Sequence, residues 1–272
     1  MNVTSSSKLP PAGTLLNKVP EVTIYFWIIT VLAMSVGRAF ADFLNGRLGL
    51  GLTSTSLVMA ALLIVILVVQ FHQRRYVAVV YWIAVVFSSV VGALITVNLT
   101  DNLGVSLEIT TAVLAVCLAA TFRGWYRAEG TLSIHSINTS GRESFYWLAV
   151  LLSFALGTAV GELVAQKFGL GFGSSVLIFA GFIALIAVSR NGIKFSALAT
   201  FWMAYVLTQP LGTSIGDLMA QKHRRLSGFT GGFGLGTTKT SLIFLLVIVG
   251  LVAYLTRTRV DATEGTDSNL KG

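Results

Sequence analysis

The sequence predicts an all-α polytopic membrane protein, with eight transmembrane helices arranged as four parallel two-helix repeats in two duplicated halves. Three observations point there. The 272 residues are 54% apolar and 11% charged, with a mean hydropathy of +0.80, more apolar surface than one soluble domain can hide. Eight apolar runs approach the roughly 20 residues that a bilayer demands. Trp27, Trp82, Trp147 and Trp202 each follow an aromatic residue, and each precedes a glycine by ten positions: Gly37, Gly92, Gly157 and Gly212.

In chain order, residues 1–22 read as a cytoplasmic tail with Lys8, Lys18 and three prolines but no apolar core, so a cleaved signal peptide is not expected. Apolar runs follow at roughly 23–43, 53–70, 76–97 and 106–122, forming a first half over 23–122. A polar stretch, 123–143, reads as a cytoplasmic linker. The second half, 144–256, carries runs at roughly 144–165, 174–189, 197–218 and 240–256, and 257–272 reads as a cytoplasmic tail. The even-numbered runs open after glycine-rich turns at Gly49, Gly104, Gly169 and Gly234, mostly with hydroxyl residues that cap helix N–H groups. Each repeat therefore reads as a tight helical hairpin. The single cysteine, Cys117, lies in an apolar run and reads as a buried thiol.

Trp27 to Trp147 and Trp82 to Trp202 are both offsets of 120 residues, so a half repeats as a unit. The fourth repeat alone carries ten extra residues, including Lys222, His223, Arg224 and Arg225. With a cytoplasmic N-terminus, twelve Lys and Arg fall on the cytoplasmic side and six on the other. Both termini are therefore expected in the cytoplasm. Because each repeat contains two helices, all four enter the membrane in the same sense, related by an axis along the membrane normal.

Five residues beyond the four glycines come Asp42, Val97, Glu162 and Asp217, so three repeats put an acid at one depth. That level is about 22 Å from the tryptophans at 1.5 Å per residue. In repeats three and four, Gly157 with Gly161 and Gly212 with Gly216 have the four-residue spacing that lets helix backbones approach closely. Thr158 and Thr213 precede their acids by one turn, and Arg38 takes that place in repeat one, next to Asp42. An internal Arg38–Asp42 pair is thus available, whereas Glu162 and Asp217 have no basic residue within a turn. An ionisable group in hydrocarbon is a functional candidate by default. The tryptophans read as interfacial anchors.

The segments LSIHSI (Leu132 to Ile137), FYWLAVLLSFALGTAVGE (Phe145 to Glu162) and FWMAYVLTQPLGTSIGD (Phe201 to Asp217) resemble the bacterial inner-membrane proteins built from the tandem repeat of unknown function number 347. The resemblance spans Tyr25 to about Tyr254 and implies architecture and an inner-membrane location, without chemistry. Val97 departs from the glycine-to-acid pattern. His72, His135 and His223 fall on different sides, and carboxylates with hydroxyl oxygens suit protons or hard cations rather than soft metals. No Walker A motif occurs, and neither an enzyme nor a cofactor is expected. The basic balance reflects the anionic inner leaflet, and nucleic acid is not an expected partner. The expected partners are the lipid bilayer and a small cation or proton, with homo-oligomer formation permitted. These features point to a small secondary transporter that moves a proton or hard cation through a cavity lined by Asp42, Glu162 and Asp217 with Thr158 and Thr213, in which Glu162 and Asp217 are the working pair and Arg38 is the counter-charge. The alternative is a non-transporting scaffold or sensor whose acids are structural.

Overall fold

The computed structural model describes residues 17–47, 51–189, 196–221 and 232–262, leaving aside the side chains of 42 and 44–47. The turn glycine Gly49 and the basic insertion Lys222 to Arg225 lie outside the described residues. Eight α-helices and no strand occur among the described residues: α1 (Ile24–Arg47), α2 (Leu52–His72), α3 (Ala78–Val97), α4 (Leu107–Glu129), α5 (Ser140–Glu162), α6 (Gly171–Ser189), α7 (Ala197–Ala220) and α8 (Thr237–Thr258). Seven are long and apolar enough to cross a membrane, making this a multi-pass membrane protein. The eighth, α7, turns its polar residues inward: Thr208, Gln209, Thr213, Ser214 and Asp217 are all buried.

The odd helices form an inner ring in the order α1, α3, α5, α7 and back to α1. They run parallel: near their starts Tyr81 meets Tyr146, and near their ends Gly161 meets Thr213. Glycine sets the spacing, and the contact repeats in register. A Cβ on Gly37 would lie 2.6 Å from the Ser89 carbonyl carbon, and on Gly92 2.6 Å from Phe154 Cβ. On Gly157 it would lie 2.9 Å from the Gln209 carbonyl carbon, and on Gly212 2.7 Å from Met34 Cβ. Met34, Ser89, Phe154 and Gln209 each stand seven residues after their tryptophan, so every glycine faces the same position of the next repeat. Hydroxyls bind the same seams: Ser89 Oγ donates to Ala33 O at 2.7 Å, Thr96 Oγ1 to Ala155 O at 2.8 Å, and Ser35 Oγ to Gly212 O at 2.7 Å.

The even helices lie outside, with 17–28% of their residues buried against 61–67% in the inner spans of α1, α3 and α5. Each packs chiefly on the inner helix of the next repeat: α2 on α3, α4 on α5, α6 on α7, and α8 on α1. The expected hairpin pairing is therefore not the main packing, since an inner helix spends its lateral faces on its ring neighbours. The turn glycines fulfil a backbone need: Gly104, Gly169 and Gly234 have φ of 66°, 68° and 74°, a region costly for other residues. Cys117, expected buried, is exposed on outer helix α4. Five-residue π turns, 98–102 and 163–167, occupy equivalent places in repeats two and three, directly after Val97 and Glu162.

The tryptophans are turned into the protein rather than forming a lipid-facing belt. Trp82, Trp147 and Trp202 are buried and Trp27 is half-buried. Phe26 packs on Trp82, Tyr81 on Trp147, and Phe201 on Trp27, while Trp202 packs on the buried Trp125. Close ring packing of this kind favours a buried layer.

Residues 17–22, expected in a tail, form a strap across this end of the ring. Lys18 N donates to Ile137 O at 3.0 Å and Tyr76 N to Asn17 O at 3.1 Å. Lys18 Nζ donates to Glu143 Oε2 at 2.7 Å and to Phe71 O at 2.9 Å, with both charged side chains buried. The linker is likewise structured, since α4 runs through 123–129 and Ile134 and Ile137 are buried. Beyond α8, Asp261 O accepts from Glu21 N at 3.0 Å, and Asp261 Oδ2 accepts from Tyr76 Oη at 2.5 Å. Burial pushes the Tyr76 hydroxyl up, which keeps it a donor. Burial also holds the Asp261 carboxyl above the ordinary carboxylate range, against the opposing pull of the Tyr76 hydrogen bond.

The glycine seams predict that Gly92→Ala costs about 1–3 kcal/mol through overpacking. Gly181→Ala in α6, where a Cβ meets nothing within 4 Å, should instead stabilise by about 0.5–1 kcal/mol. Thermal unfolding in detergent distinguishes them. The folded state takes up the Asp261 proton before the unfolded chain does, so its stabilisation is complete below the unfolded value, about 3.9. It is lost as pH rises through the raised folded value. Unfolding curves against pH should show that fall, Asp261→Asn should remove it, and Tyr76→Phe should move it to higher pH.

Candidate functional site

The inner ring places the charges of three repeats together. Arg38, on α1, faces Glu162 of α5 across the ring and Asp217 of the adjacent α7. Its Nη1 forms an ion pair with Glu162 Oε1, and its Nε lies 3.7 Å from Asp217 Oδ1. Exposures of 8%, 7% and 2% for Arg38, Glu162 and Asp217 put all three inside the bundle. At such depth attraction between charges is far stronger than in water. Gln221 Nε2, just beyond the end of α7, donates to Asp217 Oδ1 at 3.3 Å.

Local structure explains how the groups arrive. Gly161 and Gly216 flank the acids, and a Cβ on them would lie 2.9 Å from Thr213 Cβ and 3.1 Å from Ser35 Cα. Here α7 contacts both α5 and α1, so a side chain as long as arginine spans the interior. Pro210 lies inside α7, where its ring cannot donate. Nearby side chains occupy carbonyls around it: Gln209 Nε2 and Thr208 Oγ1 donate to Tyr205 O at 2.9 and 2.6 Å, and Ser214 Oγ to Pro210 O at 2.8 Å.

Of the residues singled out from sequence, Arg38, Glu162 and Asp217 come together. Glu162 and Asp217 have no basic residue within a turn of their own helices, and Arg38 reaches them from a third helix. Asp42 belongs to α1, but its side chain lies outside the described residues. Thr158 and Thr213 are buried, and their hydroxyls donate to Phe154 O at 3.2 Å and Gln209 O at 3.3 Å in their own helices. Val97 is buried on α3, and Asp101 lies exposed on the π turn, accepting from Thr100 Oγ1 at 2.9 Å. Among the described residues no group of three or more His, Cys, Asp or Glu side chains is placed to hold a metal ion.

Sequence reasoning missed the Lys18–Glu143 pair, because both residues were given to polar segments outside the helices. The partner of Arg38 had a usable signal. In a ring of parallel repeats, the position eleven after Trp27 stands beside the acid level of repeats three and four.

Arg38→Met should cost about 3–5 kcal/mol by leaving buried carboxylates without their cation. The triple variant Arg38→Met, Glu162→Gln, Asp217→Asn should recover most of that loss in detergent melts.

Four matches to one family model, described as Repeat of Unknown Function (DUF347), cover residues 25–76, 80–131, 145–190 and 200–261. Each match takes in one inner helix with the outer helix that follows it. No curated protein and no solved structure matches the chain.

Proposed function

Since the chain belongs to the DUF347 repeat family, whose description names no activity, we propose its function from the buried charges: a small secondary transporter that moves a proton or hard cation between its inner helices. One observation carries this reading, the single guanidinium of Arg38 shared by the carboxylates of Glu162 and Asp217. A proton or cation taken up at one carboxylate weakens its hold on Arg38, which then pairs with the other. Because the acids belong to different inner helices, that exchange changes the forces between α5 and α7. Glu162 and Asp217 are the working pair, Arg38 is the tethered counter-charge, and the Thr158 and Thr213 oxygens flank them with spare acceptor capacity. This reading puts the protein in the bacterial inner membrane, as the family resemblance implies, with both termini cytoplasmic, an orientation supported by the excess of Lys and Arg on that side. No catalytic role belongs to this reading.

A scaffold or sensor is the second reading. The observation favouring it is that each of the three charged residues is less than a tenth exposed and is paired. In that case the charges fix helix register and nothing crosses.

Proton and cation flux into proteoliposomes tests both. For a transporter, Glu162→Gln and Asp217→Asn should each lower gradient-driven flux at least about tenfold, a loss of about 1.4 kcal/mol in barrier terms, while the protein remains folded. Wild-type flux no greater than that of empty liposomes, with both variants altering only the melting temperature, would establish the scaffold instead.

A further inference from the structure

A second cluster of charge lies at the rim of the bundle. A cleft of about 140 Å³ opens between the α2–α3 connection, the start of α3 and the end of α8. Arg75 and Arg259 line it, with Tyr76, Ala78, Leu255 and Asp261. Its depth follows from the chain: Arg75 falls between the spans that end at His72 and begin at Ala78, and Arg259 directly follows the span that ends at Thr258. That is the level of lipid headgroups.

Three features of the cleft point to one ligand chemistry. Arg259 is the only non-glycine residue with positive φ among the described residues, at φ 53° and ψ 26°, where it terminates α8. A left-handed residue at a helix end is ordinarily glycine, so the guanidinium is held here at a conformational cost. The first turn of α3 adds backbone N–H groups that its N-cap residue, Val77, does not cap with its side chain. Such groups favour an anion, and two guanidinium groups beside them suit a phosphate. The third feature has the opposite polarity. Asp261 is 2% exposed, its Oδ2 is taken by Tyr76, and among the described residues its Oδ1 has no hydrogen-bond partner. A buried carboxylate oxygen left in that condition suits a charged donor. Leu255 and Ala78 supply apolar wall for the part of a ligand that continues toward the bilayer.

We propose that this cleft binds a headgroup in which a phosphate is joined to a primary ammonium, supplied by an aminophospholipid. Arg75, Arg259 and the start of α3 take the phosphate, and Asp261 takes the ammonium. The site is separate from the Arg38 cluster and does not depend on transport.

The protein is exchanged into micelles doped with equal amounts of phosphatidylethanolamine, phosphatidylcholine and phosphatidylglycerol, and the retained lipid is quantified by mass spectrometry. Phosphatidylcholine keeps the phosphate but has no N–H, and phosphatidylglycerol has no cation. Wild type should retain phosphatidylethanolamine about tenfold over either, the worth of one charge-assisted hydrogen bond. Arg259→Gly, which suits the left-handed backbone, should lower retention of all three. Asp261→Asn, which still accepts from Tyr76, should remove only the preference for ethanolamine. Both variants should elute as folded, monodisperse protein. Equal retention of the three lipids by wild type, or a preference unchanged in both variants, overturns the proposal. Complete displacement by soluble phosphoethanolamine overturns a lipid as the source.

Discussion

Two helix backbones approach closely only where one of them lacks a side chain, and in this protein that condition recurs at one position of every repeat. Gly37, Gly92, Gly157 and Gly212 each receive the residue seven beyond the tryptophan of the neighbouring repeat. The last of these contacts, Gly212 on Met34, joins repeat four to repeat one and closes the ring. Closure brings Asp217 beside α1, and the narrowness of the ring brings Glu162 within the span of one arginine. The charge cluster is thus a consequence of backbone spacing set some five residues earlier in each helix.

The ring repeats, but its charges do not. At the level of Arg38 the other repeats supply Ala93, Thr158 and Thr213, and one turn on they supply Asp42, Val97, Glu162 and Asp217. Stability alone gives little reason for three ionisable groups there, because replacing a buried ion cluster with well-packed apolar residues of similar volume is often neutral or stabilising. Removing one member is a different matter, since the others are left charged and poorly solvated. A group that is costly to break yet dispensable for packing is better explained by register or by ion chemistry than by cohesion. The two readings of function divide on that point.

Repeat number, helix number and the close-approach glycines were legible because each depends on a run or spacing within one segment. Partner choice was not. Whether α2 packs on α1 or on α3 depends on which lateral faces the ring has already used, and no spacing inside one hairpin records that. Tryptophan misled for a related reason: its ring suits both a membrane interface and a packed interior, and the burial of Trp82, Trp147 and Trp202 follows from neighbours on other helices. The helix α7 was legible from its run at 197–218 despite its polar face. Its inward face carries so many polar residues that it falls short of the apolar character of the other seven helices, although the ring needs it as much as any of them.

Three segments outside the repeat pattern gather at one end. The strap before α1, the linker between the halves and the turn after α8 meet where the inner helices begin, tied by Lys18 to Glu143 and by Tyr76 to Asp261. Below them lies the aromatic layer, and both must yield before anything passes along the ring's interior from that side. Separating Lys18 from Glu143 would strand two buried charges, which costs far more than separating an exposed pair. At the other end Lys167 pairs with Glu108 at 2.9 Å, but both side chains are exposed, and there the inner helices of repeats two and three loosen into π turns directly after Val97 and Glu162. A π turn interrupts the regular α-helical hydrogen-bond ladder and often marks a functional place in a helix. On the transporter reading, movement coupled to the charge on Glu162 would meet least resistance at its own C-terminal side, with the strapped end as the fixed frame.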